Sequence, residues 1–262
     1  MSLKDHFDLV ILDWAGTMVD FGCMAPVSAL CAAFGEQGVG LDEPTVRRDM
    51  GKAKVDHVRS LLSYPAVAAA WKSAHGRAAD DRDIELLMER LGPLMREHAA
   101  RAAKLIPGAR ETFERLRTAG LRVASSTGYT REMMVPVLAR AAEQGYVPEH
   151  LVCSGETPAG RPTPLMIYKA CAELGVWPLN RVLKVDDADA GIAEGRAAGA
   201  FTVAVASGNA LGLSLEALQA LEPAQRAARL EEARRLLRSA GAELVLDSVA
   251  DLVPALEQWA RG

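Results

Sequence analysis

Cysteine is scarce in this chain, with four residues at positions 23, 31, 153 and 171. None stands in a C-x-x-C spacing, so the usual thiol metal and redox motifs are missing and four reduced thiols in a cytoplasm are expected. No apolar run approaches the roughly 18 residues of a membrane span. Met1-Ser2-Leu3-Lys4-Asp5 begins no apolar signal segment either. A soluble protein with no membrane partner is expected. Positive charge is not in excess: 30 Lys and Arg face 34 Asp and Glu, for a net charge of −4. The positive residues are scattered rather than gathered into a stripe, which argues against a nucleic-acid partner. Repeats and low-complexity tracts are also lacking. What remains is a globular chain of 262 residues, long enough for one large domain or for a domain carrying an insertion.

The rest of the chain is organised around Leu9-Val10-Ile11-Leu12-Asp13-Trp14-Ala15-Gly16-Thr17, an apolar run of one buried strand that ends on a carboxylate. In open parallel α/β sheets ligands bind outside the carboxyl ends of the strands, so Asp13 points into the usual site. The small residues after it let backbone N–H groups approach an anion such as phosphate. Taken alone, an Asp after a strand is more often a plain cap of the next element. Residues 20–103 then read as helices only. Val27, Leu30, Cys31 and Phe34 mark one; Asp42 and Pro44 open a second; Val55, Val58 and Leu62 mark a third. Pro65 opens a fourth, and Ile84, Leu87, Met88 and Leu91 mark a long fifth. From Pro107-Gly108 strands and helices alternate, with strands expected at 121–125, 150–153, 181–185, 201–205 and 243–246 and a helical stretch over 215–240. The fold class is therefore α/β, a doubly wound parallel sheet formed by residues 1–19 and 104–262, with 20–103 inserted as an all-helical cap.

Other polar groups fall at the strand ends. Ser126-Thr127-Gly128-Tyr129, read as a turn between strand and helix, offers a hydroxyl and backbone N–H groups to an anion, or a plain N-cap. Asp186-Asp187 brings a second carboxylate to the rim, and with Asp13 makes an oxygen site of the Mg²⁺ type. Gly160-Arg161-Pro162 supplies a fixed positive charge suited to phosphate, although a loop arginine is more often solvated.

Asp13, Thr127, Arg161 and Asp187, in that order on successive βα units with a helical insert after the first, resemble the haloacid dehalogenase superfamily over nearly the whole chain. The resemblance implies that Asp13 is a nucleophile taking a phosphoryl group, that Thr127 and a basic residue hold phosphate oxygens, and that Asp187 binds Mg²⁺. One more absence then becomes informative. Superfamily phosphatases carry a second Asp two residues after the nucleophile, to protonate the leaving alcohol, and here that place is Ala15. The insert offers another means of activation: Lys54 is followed three residues later by His57 on one helix face, and a lysine amine forms Schiff bases with carbonyls.

Asp13-Trp14-Ala15-Gly16-Thr17, Phe21-Gly22-Cys23, Met50-Gly51, Lys54-Val55-Asp56-His57, Thr127-Gly128-Tyr129 and Gly160-Arg161-Pro162 together resemble the phosphonoacetaldehyde hydrolase family. That resemblance implies an imine on Lys54 and carbon–phosphorus cleavage onto Asp13. It also implies Cys23, Met50, His57 and Tyr129 around the aldehyde and the lysine, with His57 a possible proton shuttle near neutral pH. Gly51, Thr127, Gly128 and Arg161 would bind substrate and phosphate. Mg²⁺ would lie on Asp13, the Ala15 carbonyl and Asp187, and the protein would be a homodimer joined through the cap. Lys52 is the competing amine and reads as a solvated lysine facing away. The superfamily also commonly has an acid four residues after the metal-binding one; here that place is Gly191, with Asp186 or Asp189 as candidates to compensate. Two rival readings are a phosphomonoesterase, for which Ala15 is the adverse feature, and a binding protein on a degenerate scaffold.

Ala15→Asp adds negative charge beside Asp13, where a phosphonate must bind. Turnover of phosphonoacetaldehyde should fall or stay level in this variant, and phosphate-ester hydrolysis could rise. A marked gain in phosphonoacetaldehyde turnover would contradict the argument.

Overall fold

The computed structural model describes residues 2–261. Leu9–Leu12 forms β1, buried on both faces, because its alternate residues enter different cores. Val10 and Leu12 join the larger hydrophobic cluster, while Leu9 and Ile11 join a second cluster with Val152, Ile167 and Ala170 on the opposite face. Five more strands follow: β2 (Arg122–Thr130), β3 (His150–Ser154), β4 (Val182–Asp186), β5 (Phe201–Val205) and β6 (Leu244–Leu246). All pair in parallel in the order β3-β2-β1-β4-β5-β6. The chain builds outward from β1 to β3, then returns to lay β4 against the other edge of β1. That reversal opens a crevice at the carboxyl ends of β1 and β4.

A short α1 (Leu3–His6) precedes the sheet. Between β1 and β2, among the described residues, the named elements are helices only: α2 (Met24–Glu36), α3 (Glu43–Arg47), α4 (Lys54–Ser63), α5 (Pro65–His75), α6 (Asp81–Ala102) and α7 (Ala109–Thr118). Asp42 caps α3 by accepting from the Thr45 N–H, and Pro65 occupies the first turn of α5, both places where those residues favour helix starts. The larger hydrophobic cluster runs without a break from Leu12 and Val123 in the sheet through Trp14 and Met18 to Phe34, Trp71 and Leu87 in the helices. The helical segment thus shares a core with the sheet. The remaining helices, α8 (Arg131–Glu143), α9 (Leu165–Leu174), α10 (Asp189–Ala198), α11 (Leu215–Ala220), α12 (Pro223–Ser239) and α13 (Leu252–Trp259), complete the fold.

Three expectations are corrected. Strand β2 does not stop at Ser125: it runs through Thr130, with an irregular register between Thr127 and Thr130, so Thr127-Gly128-Tyr129 lies in the strand rather than in a turn. Thr130 is the residue that caps α8. The stretch 215–240 is two helices, because Pro223 excludes the helical conformation at Glu222, whose ψ is 148°. On α4 the buried stripe is Lys54, His57, Val58, Leu61 and Leu62, whereas Val55 is exposed. Lysine, not valine, begins the inward face.

The segment before α4 lies directly on β2. A Cβ at Gly128 would stand 2.7 Å from the Lys52 carbonyl oxygen and 2.9 Å from that of Gly51, contacts that no side chain can make. Gly128→Ala should therefore lift residues 50–54 off the sheet. Amide exchange there should accelerate by about tenfold or more, equivalent to about 1.4 kcal/mol of lost docking, with β1 and β4 unchanged. Unaltered exchange in residues 50–54 would show that the contact has room to yield.

Candidate active site

Asp13 continues β1 by one residue, its N–H donating to the Val185 carbonyl at 3.0 Å, so its position is set by the sheet. Its carboxylate meets Arg161 Nη2 at 2.8 Å. Asp13, Asp186 and Asp187 are all buried, and each can bring an oxygen within 4.8 Å of the others. Burial first, and the Asp186 charge second, push Asp13 up to about 6, against the pull of Arg161 and Lys184. Asp187 is driven well above the usual carboxylate range by burial and by the charges of Asp13 and Asp186. Carboxylates crowded in this way are stabilised in their ionised form by a hard divalent cation, and an all-oxygen donor set fits one.

Asp187 is held by hydrogen bonds alone. Thr17 Oγ1 donates to Oδ1 at 3.2 Å and the Asn209 N–H donates to Oδ2 at 2.7 Å. Gly16 and Gly208 make room for it, since a Cβ on either would fall within 2.1 Å of Oδ2.

Arg161 is not a solvated loop residue. It is buried, and besides Asp13 it meets Glu194 at 3.0 Å, Asp186 at 3.4 Å and the Ser126 carbonyl at 2.8 Å. Lys184 stands beside it, with Nζ 2.9 Å from Asp186, 3.3 Å from Glu194 and 2.8 Å from Ser126 Oγ. Lys184 and Glu194 are not among the residues the sequence points to, and Ser126 enters there only within the anion-binding stretch. A lysine inside the apolar run Val182-Leu183-Lys184-Val185 was the available signal, because an unpaired charge does not enter a buried parallel strand. Burial pushes Asp186 upward, but Arg161 and Lys184 outweigh it and hold that carboxyl below the ordinary value.

The Gly191 departure has a geometric explanation. A Cβ at position 191 would fall 1.9 to 2.4 Å from the carboxylate atoms of Asp186. Asp186 therefore occupies the space that a side chain at 191 would need, and Asp189, which is exposed, does not.

Across the cavity stands Lys54, buried at the start of α4 with its ammonium 5.4 Å from the centre of the Tyr129 ring. Loss of hydration lowers its pKa to about 8; nearby Arg161 assists, whereas Cys23 and Asp13 oppose. Cys23 itself is pushed well above its ordinary value by burial and stays a neutral thiol near pH 7. Its backbone is left-handed (φ 52°), as is that of Asp20 (φ 58°). Asp20, another residue not foreseen, caps α2 by accepting from the N–H groups of Met24 at 3.0 Å and Ala25 at 2.8 Å, which fixes the turn that aims Cys23.

One small cavity brings together Asp13, Ala15, Cys23, Met50, Gly51, Lys54, Thr127, Gly128, Tyr129, Arg161 and Asp187, and adds Pro26. A wider cleft of about 870 Å³ opens beside it and shares Met50 and Asp187. His57 is absent from the cavity wall. Its Nε2 is 2.8 Å from the Val46 carbonyl, so that nitrogen carries the proton, and burial with the Lys54 charge lowers its pKa to about 3. A neutral imidazole tied in this way fastens α4 to α3. Lys52 lies before α4 and pairs with Asp49, away from the cavity.

A six-stranded parallel sheet with an acid at the end of its first strand, and further carboxylates at the switch point, defines a class. The chain belongs to the haloacid dehalogenase-like hydrolases, whose family pattern matches residues 7–199. It is 43% identical to the phosphonoacetaldehyde hydrolase of Paraburkholderia xenovorans over 96% of this chain and 94% of that one. It is 39% identical to that of Bacillus cereus over 96% of each. A crystal structure of a phosphonoacetaldehyde hydrolase-like protein from Oleispira antarctica superposes with a TM-score of 0.95 at 40% identity, covering 98% of this chain and 93% of that one. Within the hydrolases, then, the chain is a member of the phosphonoacetaldehyde hydrolase family.

Asp187→Asn removes a charge from an oxygen site and should weaken divalent-cation binding by about tenfold or more, as measured by calorimetry with Mg²⁺ as the probe, with activity falling in parallel. An Asn variant with Mg²⁺ affinity and turnover equal to the parent would remove Asp187 from the cation site.

Proposed function

We propose that this enzyme hydrolyses the carbon–phosphorus bond of phosphonoacetaldehyde to acetaldehyde and phosphate, in the breakdown of 2-aminoethylphosphonate. The observation that carries the reading is a buried lysine of lowered pKa facing a buried aspartate across one cavity, with the methyl group of Ala15 where a phosphatase needs an acid. The names of the relatives support the substrate.

The residues divide the work. The neutral amine of Lys54 adds to the aldehyde carbon and water leaves, giving an iminium. The carbon–phosphorus bond then breaks with its electron pair moving onto carbon, so the organic fragment departs as an enamine and needs no proton from position 15. An oxygen of Asp13 receives the phosphoryl group. Water attacks the resulting acyl phosphate and releases phosphate, while protonation and hydrolysis of the enamine release acetaldehyde and restore the lysine. Arg161 and Thr127 face the phosphoryl oxygens, and Cys23, Met50 and Tyr129 enclose the aldehyde end away from bulk water. Asp13, the Ala15 carbonyl and Asp187 would hold Mg²⁺, which would offset the negative charge of carboxylate and phosphonate. Residues 20–103 act as a cap over a core of 1–19 and 104–262, in a cytoplasmic homodimer joined through the cap.

A phosphomonoesterase reading shares the fold and the phosphate-binding groups. It leaves Lys54 without a task, and Ala15 cannot protonate an alcohol leaving group.

Borohydride added with phosphonoacetaldehyde or acetaldehyde should reduce an imine to a stable amine, with the added mass on Lys54 and none on Lys52. Lys54→Arg should abolish both labelling and turnover, since a guanidinium keeps the charge but is no nucleophile. Only the neutral amine reacts, so labelling should rise with pH. Its midpoint should lie near 8, where burial has lowered the lysine. At pH 7 about a tenth of Lys54 is then reactive, against roughly one part in three thousand for free lysine. Turnover without a trapped adduct would sink the mechanism; labelling on Lys52 would correct the residue.

A further inference from the structure

Asn209, on the loop after β5, touches the proposed cation site and the helical segment at once. Its backbone N–H donates to Asp187 Oδ2 at 2.7 Å. Its side chain grips Arg47, the last residue of α3: Nδ2 donates to the Arg47 carbonyl at 3.1 Å, and Oδ1 accepts from Arg47 Nη1 at 3.4 Å. The same Nη1 donates to the Gly22 carbonyl at 2.9 Å, and Nη2 approaches Met24 Sδ at 3.2 Å, so Arg47 also clamps the turn that carries Cys23. The Gly22 N–H in turn donates to the Ser207 carbonyl at 2.8 Å. One residue before Arg47, the Val46 carbonyl accepts from His57 Nε2, which ties in α4 and with it Lys54. A continuous hydrogen-bonded line therefore runs from the helix of the buried lysine, through Val46 and Arg47, to Asn209 and the carboxylate of Asp187.

We propose that Arg47 and Asn209 are positioning residues which make the orientation of Asp187 for its cation conditional on the docking of α3 and α4 over the sheet. The inference rests on the reading of Asp187 as a cation ligand. Neither residue touches the reacting atoms. Their effect is a coupling: a docked helical segment holds the 207–209 loop, and that loop holds the carboxylate.

Electrostatics and coupling predict opposite signs, which makes the test sharp. Arg47 is a cation, and its removal should by Coulomb's law tighten Mg²⁺ binding if charge alone matters. If the clasp matters, Arg47→Ala should weaken Mg²⁺ by about fivefold or more, within the usual range of couplings. Binding is read by calorimetry on the full-length protein without substrate. Arg47→Lys should weaken it as well, because an ammonium keeps the charge but cannot reach Gly22 and Asn209 together. Asn209→Ala keeps the main-chain N–H, so a similar loss there reports loop position and not a deleted donor. The double variant Arg47→Ala with Asn209→Ala should be no worse than the poorer single. Amide exchange in residues 46–57 should accelerate in every variant, with β1 and β4 protected as in the parent, which shows that the fold is retained. Tighter or unchanged Mg²⁺ binding in Arg47→Ala, or additive losses in the double variant, overturns the proposal even if exchange accelerates. Absence of phosphonoacetaldehyde turnover in the parent would refute the proposed activity while leaving these binding results to stand or fall by themselves.

Discussion

Buried negative charge at the carboxyl ends of β1 and β4 is the constraint on which the rest of this structure depends. Among the described residues, Asp13, Asp186, Asp187 and Glu194 are buried together with only Arg161 and Lys184 as buried cations in contact. Ionised groups removed from water are stable only when paired and hydrogen-bonded. Asp186 meets that condition through Arg161, Lys184 and the N–H groups of Asp187 and Ala188, whereas Glu194 is met through Oε2 alone, by Arg161, Lys184 and the Ser126 hydroxyl. Asp13 is only partly matched by Arg161, and Asp187 has no cationic side chain on it, which is why both are pushed upward. Fold and chemistry meet at this imbalance, since a site short of positive charge favours a divalent cation.

The opposite wall obeys a complementary rule. Lys54 is kept from water by α4 and by the close approach of residues 51–52 to Gly128, and desolvation brings its pKa toward neutrality. The negative site on the sheet and the near-neutral amine on the helices are therefore separate devices joined by docking. Both are incomplete alone: undocked, Lys54 would be an ordinary protonated lysine, and without the sheet its amine would face no carboxylate. The apolar core that runs continuously from β1 to Trp71 and Leu87 keeps the two parts in one packed unit. The polar line through Arg47 and Asn209 adds direction to that packing.

Much of this was legible in the chain. The apolar run ending at Asp13, the alternation of strands and helices after Pro107 and the strand-free stretch before it are patterns of hydrophobic period, and a period follows from local sequence alone. Asp13, Thr127, Arg161 and Asp187 were legible because each follows or ends an apolar strand or precedes a helix. Lys54 was legible as a candidate from the absence of an acid at position 15, which turns attention to a lysine in the helical insert.

What the sequence could not decide is which groups share a low-dielectric space. Lys184 and Glu194 are ordinary charges on paper and become counter-ions only when β4 and α10 bring them together, Lys184 onto Asp186 and Glu194, and Glu194 onto Arg161. The 1.9 Å overlap between a Cβ at 191 and Asp186 is a relation across one turn of loop that no spacing reveals. His57 lies one turn from Lys54, as read, yet its tie to Val46 and its burial make it a neutral strut, because titration depends on surroundings and not on residue type. Sequence by itself determined the order of elements and the chemical groups carried at their ends, since both rest on local periodicity and residue chemistry. Tertiary structure alone decided which charges are paired, which are left over and which amine is stripped of water, since burial and the full set of partners depend on parts of the chain distant in sequence.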